Sequence, residues 1–285
     1  MKIIVSFSGG KDSHACLIKA VKEYGADKIE AVFCDTGWEH PETYKHIEYV
    51  VKELGVKLTT LRNQYTFLSL AKKKNRFPST KARFCTEELK IKPMIDWVLQ
   101  QTESMIIIQG IRSGESFARA AMDAECMYFK HYFQPLLSGK TYSYRKKEII
   151  KWCKKYDASI LRPIKDWSAQ DVIDCILNAG QKPNPLYYKG FSRVGCFPCI
   201  MCRHSEILNI AKYDKPMLEN LINAEKFVGS SFFPPNYIPT YACSNKKFPT
   251  VEDVEKYVTD KTATLDMYEP EGGYSCMSVF HGLCE

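Results

Sequence analysis

No run of apolar residues in this 285-residue chain approaches the length of about 20 that a membrane-crossing helix needs, which excludes a spanning helix. The chain has no internal repeat and no low-complexity tract. Neither a stacked-repeat architecture nor a compositional linker therefore organises it. No leader-like segment precedes the first apolar run, Lys2-Ile3-Ile4-Val5, so the expectation is a cytoplasmic protein. Strong charge of one sign is lacking too, since the formal net charge is a mild +7. Two short basic runs, Lys72-Lys73-Lys74-Asn75-Arg76 and Arg145-Lys146-Lys147, read either as solvated surface or as steering for a nucleic acid or an anionic nucleotide. The Walker phosphate loop is also absent. It needs four residues between its glycines and a Lys-Ser/Thr pair after the second.

A different phosphate loop is present. Ser6-Phe7-Ser8-Gly9-Gly10-Lys11-Asp12-Ser13 follows the apolar run and leads into His14-Ala15-Cys16-Leu17-Ile18, which has helical spacing. The order is strand, glycine turn, helix. Glycine permits a close backbone approach and positive φ. The N-terminus of a helix offers N–H donors and a partial positive charge. Together they make a seat for phosphate.

Strand and helix signals alternate through about the first 180 residues, as in an α/β fold around a parallel sheet. Strands are expected at 29–34, 56–61 and 105–110. Helices are expected at 41–54, with Pro41 in the first turn, at 86–101, around 147–156, and after the cap at Ser168. From Gly180 the texture turns irregular, with Pro183, Pro185, Gly190, Gly195 and Pro198. Helices return at 205–212, 215–227 and 251–258. The expected organisation is an α/β nucleotide-binding domain at 1–180 and a cysteine-rich lobe or tail at 181–285.

Further constellations follow strands, where open parallel sheets bind ligands. After the second comes Asp35-Thr36-Gly37-Trp38-Glu39-His40-Pro41-Glu42. There Asp35 could orient Mg²⁺ or a ribose, while Glu42 reads as helix capping. After the apolar strand at 105–110 comes Gly110-Ile111-Arg112-Ser113-Gly114-Glu115-Ser116-Phe117-Ala118-Arg119. Arg112 and Arg119 each carry a donor fork suited to phosphate or sulfate, and Glu115 can hold one of them.

The twelve cysteines suggest metal binding or redox chemistry in a reducing compartment. Cys16, Cys153 and Cys175 lie in helical patterns and read as small core residues. Cys196, Cys199 and Cys202 form a C-x₂-C-x₂-C run. A 4Fe–4S cluster needs four thiolates, and Cys85 would be the fourth. A zinc site using His204, or plain reduced thiols, are the alternatives.

The phosphate loop resembles the PP-loop of the ATP pyrophosphatases, which cleave ATP between the α and β phosphates. The wider pattern is similar to the phosphoadenosine phosphosulfate (PAPS) reductase family of the adenine nucleotide α-hydrolase superfamily. The residues that carry this are Arg83-Phe84-Cys85-Thr86 through Leu89-Lys90, Gly110-Ile111-Arg112 with Glu115-Ser116, Pro163-Ile164-Lys165-Asp166-Trp167-Ser168, Asn184-Pro185-Leu186-Tyr187, and Gly195-Cys196 with Cys199. The likeness covers about residues 3–204. It implies a doubly wound, mostly parallel sheet. It departs from the sulfonucleotide reductases, which have an altered loop and a Glu-Cys-Gly-Leu-His motif near the C-terminus. Here the loop is intact, and the end carries Cys276 and Cys284 in another pattern.

The resemblance implies an ATP pyrophosphatase that adenylylates a substrate for iron–sulfur-assisted sulfur transfer. Ser6, Ser8, Gly9, Gly10, Lys11, Asp12 and Ser13, with Asp35, Thr36, Gly110 and Arg112, would bind ATP and Mg²⁺. Lys11, Asp12, Arg112, Arg119 and Cys284 would act in catalysis. Expected partners are an adenine nucleotide, a sulfur or electron donor protein, a DNA or tRNA substrate, and a second copy of the chain, with no membrane. The alternatives are a thiol-dependent PAPS or APS reductase releasing sulfite, and a non-enzymatic nucleotide-sensing subunit.

Overall fold

The computed structural model describes residues 1–134, 142–245 and 247–260. The chain opens with β1 (Lys2–Ser6), a glycine turn and α1 (Lys11–Tyr24). Next come β2 (Ile29–Asp35), α2 (Pro41–Leu54), β3 (Lys57–Arg62) and α3 (Phe67–Lys73). A longer helical stretch has three parts: α4 (Phe84–Thr86), a π-helical turn (Glu87–Ile91) and α5 (Lys92–Gln100). Then follow β4 (Met105–Ile108), α6 (Phe117–Ala120), β5 (Glu125–Met127), α7 (Lys146–Cys153), β6 (Ala158–Leu161) and α8 (Ala169–Asn178). Helices α9 (His204–Tyr213), α10 (Lys215–Val228) and α11 (Val251–Thr259) complete the described chain.

The strands make a six-stranded sheet in the order β3-β2-β1-β4-β6-β5. All neighbours are parallel except β5, which joins β6 antiparallel at the edge. Chain order reverses between β1 and β4, so their carboxyl ends flank the crevice where such sheets bind ligands. The local reasons are plain at α2. Pro41 presets φ at the first helical position, and His40 caps the helix by accepting the Glu42 N–H on Nδ1 at 3.0 Å. Gly55 ends the helix with φ of 64°. Glu42 itself pairs with Lys45, in keeping with a helix-end role.

Both faces of the sheet are covered. Ile3, Val5 and Ile108 pack with Leu17, Val50 and Ile176 on one side, and Ile4 and Ile107 with Ile95, Trp97 and Trp152 on the other. A third core joins Trp38, Phe67 and Leu89 to Leu186, Ile207, Leu221 and Val254. The residues beyond 180 thus share apolar contacts with loops at the carboxyl edge of the sheet. Gly110 sits where β4 meets α1. A Cβ there would lie 2.7 Å from the Asp12 carbonyl carbon and the Ser13 nitrogen.

Beneath the start of α1, His14 and His46 lie edge to face at 5.3 Å, and Gln181 Oε1 accepts from His14 Nε2 at 2.5 Å. Burial lowers His14 to about 4 and His46 to about 3. The unfolded chain therefore binds more protons between about pH 6.5 and those values. The stabilisation from keeping both rings neutral is present above pH 6.5 and is lost as pH falls through this window. At most, His14 contributes on the order of 3 kcal/mol and His46 on the order of 5 kcal/mol. Urea unfolding should show a steep fall in stability from pH 6.5 to 4 that His46→Leu flattens. An unchanged slope in that variant would overturn the assignment. Gly110→Ala should cost about 1–3 kcal/mol by overpacking α1, read as a lowered thermal midpoint.

Candidate functional site

The loop after β1 is built as a cradle. Gly9 has φ of +79°, and a Cβ there would come within 2.9 Å of Ile47 and Thr43 side chains. Both features require glycine. The Ser8 N–H donates to Ser13 Oγ at 3.2 Å, and the Ser13 hydroxyl donates to the Gly10 carbonyl at 3.0 Å. These bonds tie the loop to the first turn of α1. Ser6 Oγ and both polar atoms of the Gln109 side chain are buried without hydrogen-bond partners among the described residues. They stand at the carboxyl ends of β1 and β4, where a bound polar ligand would relieve their desolvation.

Asp12 is 1% exposed. Its Oδ1 accepts from Arg112 Nε, and its Oδ2 lies 3.2 Å from Lys11 Nζ. The Arg112 N–H donates to Glu115 Oε2 at 2.8 Å, and the same carboxylate pairs with Arg119 Nη1. Lys11, Asp12, Arg112, Glu115 and Arg119 thus form one chain of contacts between α1 and the loop after β4. The sequence pointed to these arginines, and the fold brings Arg112 directly to the phosphate-type loop.

Asp35 is fastened differently. It accepts from Tyr44 Oη at 2.7 Å, from the Gly37 N–H at 2.9 Å and from Arg62 Nε at 2.8 Å. Burial acts to raise its carboxyl, and these donors outweigh it and hold it below the usual range. Glu39 accepts from the Thr36 N–H and hydroxyl at 3.2 and 2.7 Å. Burial raises the Glu39 carboxyl, with the Lys90 charge opposing. Mg²⁺ demands open oxygen ligands. Each Asp12 oxygen already faces a cation, and Asp35 is engaged on both oxygens, so neither carboxylate is arranged as a magnesium ligand.

Two residues not proposed for the site complete the cradle. Tyr187 Oη accepts the Lys11 N–H at 2.9 Å, and the Lys11 ammonium lies 5.2 Å from the Tyr187 ring centroid. Asn184 Nδ2 donates to the Gly9 carbonyl and to Thr43 Oγ1, each at 3.3 Å. Their signal was the segment Asn184-Pro185-Leu186-Tyr187, legible as a motif but not as part of this loop.

Next to the loop lies a cavity of about 40 Å³ lined by Ser8, Thr36, Arg83, Cys85, Cys196 and Cys199, among others. Lys90 and Ser8 also line a smaller cleft with Glu39. Cys202 is not among the lining residues. Its N–H donates to the Cys199 carbonyl, its thiol is buried 3.9 Å from Tyr237 Oη, and burial pushes that thiol well above the usual range. His204 Nε2 meets the Tyr237 carbonyl at 2.7 Å. The thiols suit a soft metal centre in kind. As placed, they do not assemble one: among the described residues no group of three or more His, Cys, Asp or Glu side chains could hold a metal ion. Cys284 lies outside the described residues, as does Cys276. No described helix is long and apolar enough to cross a membrane.

The model of the phosphoadenosine phosphosulfate reductase domain matches residues 2–202. An uncharacterised 37.8 kDa protein of Escherichia phage 186 is 30% identical, with 99% of this chain and 96% of that protein covered. Two uncharacterised proteins of Methanocaldococcus jannaschii are 33% and 27% identical over 76% and 80% of this chain, which spans 39% and 48% of their own lengths. Among solved structures, PAPS reductase from Candida auris in a phosphate complex has a TM-score of 0.46 at 14% identity, covering 70% of this chain and 83% of its own. FMN adenylyltransferase from Candida glabrata, complexed with FMN and an ATP analogue, has a TM-score of 0.43 at 17% identity, covering 68% and 55%.

Removing the Arg112 guanidinium would take from the buried Asp12 charge the cation that its Oδ1 faces. Arg112→Ala should therefore cost about 3–5 kcal/mol. Adding Asp12→Asn should recover part of the loss. A urea-denaturation cycle of the four proteins measures the coupling, and strictly additive losses would show that the pair is not the link described.

Proposed function

The chain belongs to the phosphoadenosine phosphosulfate reductase domain family, and from that premise we propose that it is an ATP pyrophosphatase that adenylylates an acceptor for sulfur transfer. The observation that carries this reading is the intact Ser8-Gly9-Gly10-Lys11-Asp12-Ser13 loop, seated at the sheet's switch point with Arg112 fastened to Asp12. The N-terminus of α1 and the Lys11 ammonium would hold the β and γ phosphates. Arg112 and Arg119, fixed by Asp12 and Glu115, would offset charge as the bond between the α and β phosphates breaks. Mg²⁺ would arrive on the nucleotide phosphates. An acceptor oxygen attacks the α phosphorus and pyrophosphate leaves. A sulfur nucleophile then displaces AMP from the acceptor.

The thiol pocket supports the sulfur part of the proposal. Cys85, Cys196 and Cys199 border the same space as Ser8. A 4Fe–4S cluster or zinc on these three and Cys202 would require the Cys202 side chain to turn outward from its core. When bound, such a centre would supply sulfur or electrons beside the phosphate loop. The same thiols favour a second reading, reduction of a sulfonucleotide to sulfite. Against it stands the loop, which is intact for ATP.

Protein purified without oxygen should release AMP and pyrophosphate from α-labelled ATP when its acceptor is present. Lys11→Ala should lower that rate by about a hundredfold or more while the fold persists. Sulfite from labelled PAPS with ATP untouched would overturn the proposal in favour of the reductase. Metal analysis checks the thiol site separately. About four irons with sulfide per chain, lost in Cys199→Ser, are expected for a cluster. About one zinc would assign the alternative, and neither metal would overturn both.

A further inference from the structure

From Gly55 to Thr86 the chain contains no Asp or Glu. Within that stretch, Lys57 and Arg62 are paired with Glu30 and Asp35. The others are Lys72, Lys73, Lys74, Arg76, Lys81 and Arg83, on α3 and the segment after it. The first five are exposed. No ion pair among the described residues engages any of those five. A run of like charges left unneutralised is disfavoured by self-repulsion and favours a polyanion.

The second observation is aromatic. Lys73 Nζ lies 4.3 Å from the Tyr65 ring centroid, Lys72 Nζ 5.4 Å from Phe227, and the Arg76 guanidinium carbon 5.8 Å from Phe84. Phe227 is 51% exposed, and Tyr65 and Phe84 are partly exposed. Cations interleaved with flat rings suit phosphates alternating with unstacked bases. A duplex keeps its base faces stacked and offers the rings nothing. Third, the stretch runs into the pocket: Arg83 lines it together with Cys85 and Ser8.

We infer that α3 and the segment through Arg83 form a tract for single-stranded nucleic acid that leads into the thiol-lined pocket. The inference rests on the proposed transfer reaction in one respect only, that the bound strand is its acceptor. Binding itself is independent of that reaction.

The test is fluorescence anisotropy without ATP, using labelled DNA and RNA strands of about 20 nucleotides, a duplex of the same sequence, and vesicles containing phosphatidylserine. Both single strands should bind with strong salt dependence, ahead of the duplex and the vesicles. A preference between the two strands assigns the sugar. The triple variant Lys72→Gln/Lys73→Gln/Arg76→Gln should weaken binding about tenfold or more and flatten the salt slope by about 2. Lys147→Gln/Lys151→Gln/Lys154→Gln, with the same charge change on α7 and the residue that caps its end, should stay within about twofold. Equal losses in both variants, a preference for duplex or vesicles, or no binding at about 0.1 M salt would overturn the inference. Because ATP is absent, failure here leaves pyrophosphate release to be judged on its own. Absent pyrophosphate release, in turn, leaves the tract standing.

Discussion

The buried ion pair between Asp12 and Arg112 is the constraint from which the site is built. A carboxylate in the first turn of a helix gains from the dipole, but one that is almost wholly inaccessible needs a dedicated cation. Arg112 supplies it from the loop after β4, on the far side of the switch point. The pair fixes how α1 leaves β1 and how the β4 loop turns. Gly110 is forced to be glycine at the same junction, because the two backbones come too close for a Cβ. Arg119 is drawn in through Glu115. One charge pair thus sets the direction of the helix N-terminus and gathers cations along its flank.

The residues beyond 180 finish what the sheet begins. Asn184 ties the Gly9 carbonyl to Thr43, and Tyr187 takes up the Lys11 N–H. Cys196 pairs by backbone with Glu39, and the Phe197 N–H donates to the Trp38 carbonyl. Trp38 in turn donates its indole N–H to the Pro198 carbonyl. These bonds run between the loop after β2 and the cysteine segment, so the thiol pocket has one wall from each. The apolar core that Trp38 and Phe67 share with α9, α10 and α11 holds that wall in place.

Much of this was legible because local chemistry and global position agreed. Lys2-Ile3-Ile4-Val5 followed by two glycines could hardly be other than strand, turn and helix, and Pro41 with Gly55 marked both ends of α2. The misses have physical causes. β5 is three residues at an antiparallel edge and β6 is four, too short for a period to show. α3 is seven residues long, too short for a clear helical period, and only its last two residues enter the basic run. The π-helical turn within 84–100 has no sequence signature. Tyr187 reaches the phosphate loop from 176 positions away, which no local pattern encodes. The cysteine spacing suggested convergence of four thiols. The backbone turn closed by the Cys202 N–H and the start of α9 at His204 instead carry Cys202 into the core beside Tyr237.

Tyr187 also bears on how the cradle would work. Its hydroxyl occupies one of the N–H donors that a phosphate oxygen would claim on the proposed reading. A neutral hydrogen bond contributes about 0.5–1.5 kcal/mol net, and one to a charged oxygen about 1.5–3 kcal/mol. An anion also gains from the helix dipole and from the Lys11 ammonium, which now lies against the tyrosine ring. On that reading the exchange of hydroxyl for phosphate would run downhill, and the hydroxyl would keep the donor satisfied until then. The ring would remain to shield the ammonium from water and so strengthen its field at the phosphates. A side chain that looks like a plug would, by these magnitudes, serve on the proposed reading as a placeholder that the charged ligand displaces at little cost.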